Sequence, residues 1–137
     1  MKLPDIVFTK WFRWSERNSI ENSDLPGVYI LAKFRSVPRG RANMKDEKII
    51  YFGETCRPLK TRWNDFNRSA FQSKFGHSGG STYKEIFNDM GKNLYVAALP
   101  IQELLGDLRP FFIRFVERKL IFDYALKHVK TPRLNLK

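Results

Sequence analysis

Three short, continuously apolar runs stand between polar, turn-forming segments. Asn22-Ser23-Asp24-Leu25-Pro26-Gly27 is turn chemistry, and Gly27-Val28-Tyr29-Ile30-Leu31-Ala32 after it reads as a buried strand. Lys48-Ile49-Ile50-Tyr51-Phe52-Gly53 reads as a second strand, and Leu94-Tyr95-Val96-Ala97-Ala98-Leu99, ended by Pro100, as a third. Between the first two, Lys33 to Lys48 contains Pro38-Arg39-Gly40 and reads as a loop or hairpin connection. Pro58 suits a first helical turn, after which Leu59, Arg62, Trp63 and Phe66 recur at helical spacing. Gly76 to Ser81 reads as a Gly/Ser loop, and Thr82 to Met90 as a helix stopped by Gly91. The longest helix begins near Pro110. Its apolar residues, Phe112, Phe115, Val116, Leu120, Phe122 and Ala125, fall on more than one side, which predicts burial over a broad face. Glu117 lies among them, where a carboxylate is costly without a partner.

These elements predict an α+β domain: a small three-stranded antiparallel sheet flanked by helices, an α/β sandwich. Residues 25–137 form that domain, and residues 1–24 an N-terminal aromatic extension, either a short helix or an extended arm. Its Trp11, Phe12 and Trp14 would pack a protomer interface, stack bases or, by default, cover the sheet. No internal repeat, low-complexity tract or Ser/Gly linker marks a second domain, as 137 residues would suggest.

Composition narrows the class. A hydrophobic fraction of 42% with 15% aromatics argues against disorder. No apolar run approaches the roughly 18 residues of a membrane span, and no signal-peptide pattern opens the chain, so a cytoplasmic protein without a membrane partner is expected. Cys56 is the single cysteine, which excludes a disulfide framework; with two histidines it also argues against a four-ligand zinc site. No general base is placed near Cys56 by sequence, so it reads as buried or incidental.

The net charge is +11, and it is clustered. Residues 33–48 hold Lys33, Arg35, Arg39, Arg41, Lys45 and Lys48 against Asp46 and Glu47. Residues 57–74 hold Arg57, Lys60, Arg62, Arg68 and Lys74 against Asp65, and the tail from Lys127 adds Lys130, Arg133 and Lys137 without an acid. Affinity for a polyphosphate grows with the phosphates neutralised, so Lys33, Arg35, Arg39, Arg41, Lys45, Arg57, Lys60 and Arg68 are candidate nucleic-acid contacts.

Gly27-Val28-Tyr29 and Tyr51-Phe52-Gly53 resemble the paired signature of the GIY-YIG nuclease superfamily. Four further features follow in that family's order. Arg62-Trp63 lies on the helix after the second motif, His77 precedes the next helix, Glu117 sits on a long late helix, and Asn135 lies in Pro132-Arg133-Leu134-Asn135. The resemblance covers about residues 26–136. It implies a metal-dependent endonuclease that hydrolyses phosphodiester bonds, in DNA rather than RNA, with one Mg²⁺ or Mn²⁺ ion. By the same resemblance, Tyr29 takes a proton from the attacking water, Tyr51 orients water or phosphate, and Arg62 holds the phosphate through its planar fork of donors. Glu117 ligates the metal, His77 donates to a phosphate or to the leaving group, and Asn135 supports Glu117 or its helix. Gly27 and Gly53 support turns and close backbone packing.

Taken singly, each residue has a plainer role: a packed tyrosine, a solvated arginine, a glutamate paired with Arg114, Arg118 or Arg62, an exposed histidine. Two features depart from the family's pattern. Phe66 stands one turn after Arg62, where many members carry a histidine or tyrosine, and the motif tyrosines are 22 positions apart, about twice the compact spacing. The extra length is the basic loop 33–48, a DNA-contacting element or a mobile hairpin tip. With little chain outside the domain, the protein would be weakly specific, selective for structure or single strands, or dependent on a homodimer or a partner protein. The rivals are a module of this fold that binds nucleic acid with little or no cleavage, and an RNA-directed nuclease or toxin.

Overall fold

The computed structural model describes residues 2–104 and 107–135. The three apolar runs become strands β2 (Gly27–Lys33), β3 (Ile49–Thr55) and β4 (Leu94–Pro100), and the aromatic N-terminal segment adds a short one, β1 (Phe12–Arg13). Among the described residues the sheet is therefore four-stranded, in the order β1-β4-β2-β3 and antiparallel throughout, not three-stranded as the sequence predicts. β1 was illegible because it is two residues long, Phe12 facing Val96 and Arg13 facing Tyr95, too short for alternation to show. A single 3-10 turn over Trp14–Ser19 follows it.

Helices α1 (Leu59–Phe71) and α2 (Ser78–Ile86) cover one face of the sheet, and α3 (Leu108–His128) the other. With both faces covered, the central strands bury every residue from Val28 to Ala32 and from Leu94 to Leu99, hence their unbroken apolar runs. On the α1–α2 face, Tyr29, Leu31, Trp63, Phe66 and Tyr83 pack with Trp14. On the α3 face, Phe52, Ile113, Val116, Leu120 and Tyr124 pack with Phe8 and Trp11. The N-terminal aromatics Trp11 and Trp14 thus complete the core, one on each side.

Three details differ from the expected boundaries. The helix predicted over Thr82–Met90 ends earlier, at Ile86, with Phe87 as its C-cap. The Gly76–Ser81 stretch is not all loop: α2 begins at Ser78 and includes Gly79 and Gly80, residues whose low helix propensity hides it. Both glycines are buried against α1 or the sheet, where a side chain would collide, so packing overrides propensity. Loop 33–48 is fastened rather than a free tip. Arg41 bridges to Lys10 and donates to the Phe8 carbonyl, Ala42 N–H donates to Thr9 O, and His128 meets the Lys45 carbonyl.

Candidate active site

The first two motifs meet across one strand pair. Tyr29 of β2 lies opposite Gly53 of β3, and a Cβ at Gly53 would stand 2.3 Å from Tyr29 Cζ. The glycine is therefore the floor on which the Tyr29 ring lies. Tyr51, two residues earlier on β3, faces Leu31 and is a diagonal neighbour of Tyr29 on the same face, with ring centroids 6.0 Å apart. Ile50, the extra residue of a bulge, separates Tyr51 from the regular pairing of Ile49. Gly27 plays the same spatial part at the start of β2, where a Cβ would meet the Leu99 carbonyl oxygen at 2.3 Å.

α1 and α2 close the site from above. Trp63 stands edge-on to Tyr29 at 6.2 Å. His77 is the N-cap of α2, nearly fully buried, and its ring contacts Tyr51 and Phe66 edge-to-face. Its backbone N–H donates to Ser69 Oγ, and its Nδ1 accepts from Gly80 N–H at 3.2 Å. Burial, reinforced by the Arg62 charge, lowers its pKa to about 3, so the ring is neutral at pH 7. With Nδ1 accepting, the single ring proton sits on Nε2 and is donated to Tyr29 Oη at 2.8 Å. Both ring nitrogens are engaged inside the protein. His77 thus has no free proton for a leaving group, and its geometry is that of a residue positioning Tyr29.

Tyr29 is fully buried, and burial, then the nearby Tyr51, pushes its pKa well above the usual value, while Arg62 opposes the rise. Tyr51 is half-buried and raised to about 12, again chiefly by burial and against Arg62. At neutral pH both phenols are protonated donors. Arg62 itself donates to the Gly76 carbonyl at 3.2 Å and is 3.8 Å from Asp65. Asp65 is bound more closely by Arg57 and Arg68, which leaves the Arg62 fork the least committed of the three.

Glu117 lies on α3, the helix packed against the other face of the sheet. Its side chain is 16% exposed and takes a hydrogen bond from Arg118 at 3.3 Å. Its pKa is raised by burial and then by Glu54, against the pull of Arg118. Glu54 is a residue the sequence reading missed: it follows the second motif directly, points to the α3 face opposite Val28, and its Oε2 is buried with no hydrogen-bond partner among the described residues. A carboxylate in an otherwise apolar strand was the available signal. Among the described residues no three His, Cys, Asp or Glu side chains gather as a metal-ligand group. Two neighbouring carboxylates, one with an orphaned oxygen, nevertheless fit a hard divalent cation that takes oxygen ligands and keeps its waters.

Asn135 lies elsewhere than expected. Its Oδ1 accepts from Phe52 N–H at 2.9 Å and its Nδ2 donates to Phe52 O at 3.0 Å, while Leu134 N–H donates to Ile50 O. It therefore seals the exposed edge of β3, the strand carrying Tyr51, Gly53 and Glu54, rather than holding Glu117. Phe66 is fully buried between His77 and Tyr83.

The basic residues do not behave as one set. Lys33 is taken up internally: its Nζ bonds Tyr83 Oη and Asp89 at 2.8 Å each and the Lys92 carbonyl. Arg57 and Arg68 flank Arg62 through Asp65, beside exposed Lys60. Arg35, Arg39, Arg41 and Lys45 lie on the fastened 33–48 loop with exposed side chains. Cys56 is exposed, not buried. No described helix is long and apolar enough to cross a membrane. Comparison with protein-family models, with curated proteins and with solved structures finds no match to this chain.

Proposed function

We propose that the protein is a metal-dependent endonuclease of the GIY-YIG type that hydrolyses phosphodiester bonds, with DNA as its substrate. The observation that carries this reading is the convergence of Tyr29, Tyr51, Arg62 and His77, from four separate elements, with Glu117 close enough to act on both phenols electrostatically. Attack on phosphorus needs charge neutralisation on the phosphoryl oxygens and a route for the proton of water. Arg62 holds the scissile phosphate with its available donors. Tyr51, the more accessible phenol, orients water or phosphate by hydrogen bonding. Tyr29 first passes its phenolic proton to bulk water, and the resulting phenolate, stabilised by His77 Nε2–H and the Arg62 charge, then takes the proton of the attacking water. Glu117, with Glu54 beside it, would hold the Mg²⁺ or Mn²⁺ ion. When bound, the cation supplies further charge neutralisation at the phosphate and leaving oxygen. The exposed arginines around Arg62 give the backbone contacts a nucleic acid needs.

A binding module without cleavage is the second reading, favoured by Phe66, which offers no proton beside His77. The two are separated by incubating end-labelled single-stranded DNA, duplex DNA and RNA of one sequence with the protein in Mg²⁺, Mn²⁺ or EDTA. Metal-dependent cutting of DNA is expected. Salt-sensitive DNA binding without cutting would favour the module, and cutting of RNA alone would redirect the substrate.

A further inference from the structure

α3 covers the sheet with one face and leaves the opposite face bare. Leu108, Phe111, Phe115, Phe122 and Leu126 stand exposed along it, with Val129, its C-cap, exposed just past its last turn; Phe111 is 66% exposed, Phe122 64% and Leu126 71%. They are separated by three, four, seven, four and three residues, the same sequence of intervals from either end. Its centre of symmetry falls between Arg118 and Lys119. The helix has 21 residues and so runs about 30 Å. At ordinary side-chain areas the stripe exposes on the order of 700 Å². A monomer's largest apolar patch is typically about 300–600 Å², and each partner of a stable complex gives up roughly 800 Å².

We propose that a second copy of this chain docks on this face, α3 antiparallel to α3 about a two-fold axis between Arg118 and Lys119. An isologous contact must be complementary to itself, and this stripe is. In that register Phe115 packs against the partner's Phe122, Phe111 against the partner's Leu126, and Leu108 against the partner's Val129, with no apolar residue facing a polar one. The two basic side chains nearest the axis are each already paired on their own helix, Arg118 with Glu117 and Lys119 with Asp123, so like charges do not meet uncompensated. The apolar stripe points away from the sheet and shares with the catalytic reading only Glu117, which pairs with Arg118 beside the axis.

Sedimentation equilibrium of the full chain tests it. The wild type is expected at twice 16.2 kDa, and a Phe115→Glu/Phe122→Glu variant, changed only at exposed positions, is expected as a folded monomer by circular dichroism, its self-association weakened at least about 100-fold. In a Cys56→Ser background, a short bismaleimide should join Arg118→Cys copies across the axis and leave Leu108→Cys copies unjoined. A monomeric wild type at tens of micromolar, pointing to a different occupant, would overturn the proposal. So would a dimer that survives the double substitution, or efficient joining at Leu108→Cys, which means parallel helices.

Discussion

His77 donates its Nε2 proton to the hydroxyl oxygen of Tyr29 across 2.8 Å, inside a pocket that leaves neither residue more than 2% exposed. The direction follows from the other nitrogen, which accepts the Gly80 amide at the start of α2. A helix cap on one side of the ring thereby fixes the tautomer that serves the tyrosine on the other. His77 acts on the site through Tyr29.

This relationship gives a pH signature. The His77 pKa is about 3 in the fold against its ordinary 6.5, so the unfolded chain binds the extra proton first. Its contribution to stability is complete above pH 6.5 and is lost as pH falls toward 3, by at most about 1.4 kcal/mol per pH unit. Urea midpoints from pH 7 to pH 4 should fall more steeply in the wild type than in His77→Gln. Equal slopes would place the histidine in a solvated environment.

Removing the hydroxyl tests the other partner. Tyr29→Phe leaves the buried His77 N–H without an acceptor, at a cost of about 1–3 kcal/mol, and should lower cleavage by about 10²–10⁴-fold, the usual contribution of a positioned acid or base. Tyr51→Phe should impair cleavage with a smaller loss of stability, because Tyr51 is only half-buried. Thermal melts beside single-turnover rates separate the two effects.

Gly53→Ala should damage both stability and activity. The added methyl would sit 2.3 Å from Tyr29 Cζ, so the ring must move, and such overpacking costs about 1–3 kcal/mol. Gly40→Ala is the control, since its methyl would meet nothing within 4 Å, although its φ of +73° adds backbone strain. Cleavage lost in Gly53→Ala and kept in Gly40→Ala is the expected pattern.

Much of this site is legible in the chain, for identifiable reasons. The strands that carry Tyr29, Tyr51 and Gly53 were readable as short apolar runs, and α1 by its helical spacing. That Tyr29, Tyr51, Gly53 and Arg62 belong to one site came instead from the resemblance of the paired motifs, because alone each has a plain packing or solvated role. His77 appeared only as a loop residue, since Gly79 and Gly80 disguise the helix it caps, and its burial depends on Phe66 and Ser69 folding against it. Glu54 went unseen because its meaning depends on Glu117, distant in sequence and brought near it only by the packing of α3 on the sheet. Edge strand β1 and the clamp of Asn135 on Phe52 are likewise products of tertiary pairing, with no local period to announce them.

That clamp is testable apart from catalysis. Asn135→Ala removes two hydrogen bonds to the Phe52 backbone and should cost about 1–3 kcal/mol. Amide exchange at Phe52 should speed up, while that of Ile30 on central β2 should change only with global stability.

Single-turnover cleavage of labelled DNA in Mg²⁺ by wild type, Glu117→Gln and Arg62→Ala, with folding checked by thermal melts, tests the central claim most directly. The account predicts metal-dependent cutting by the wild type, abolished by EDTA and reduced at least about 100-fold in each variant. Undiminished cutting by folded Glu117→Gln or Arg62→Ala, or none by a folded wild type with any of the divalent ions, would contradict it.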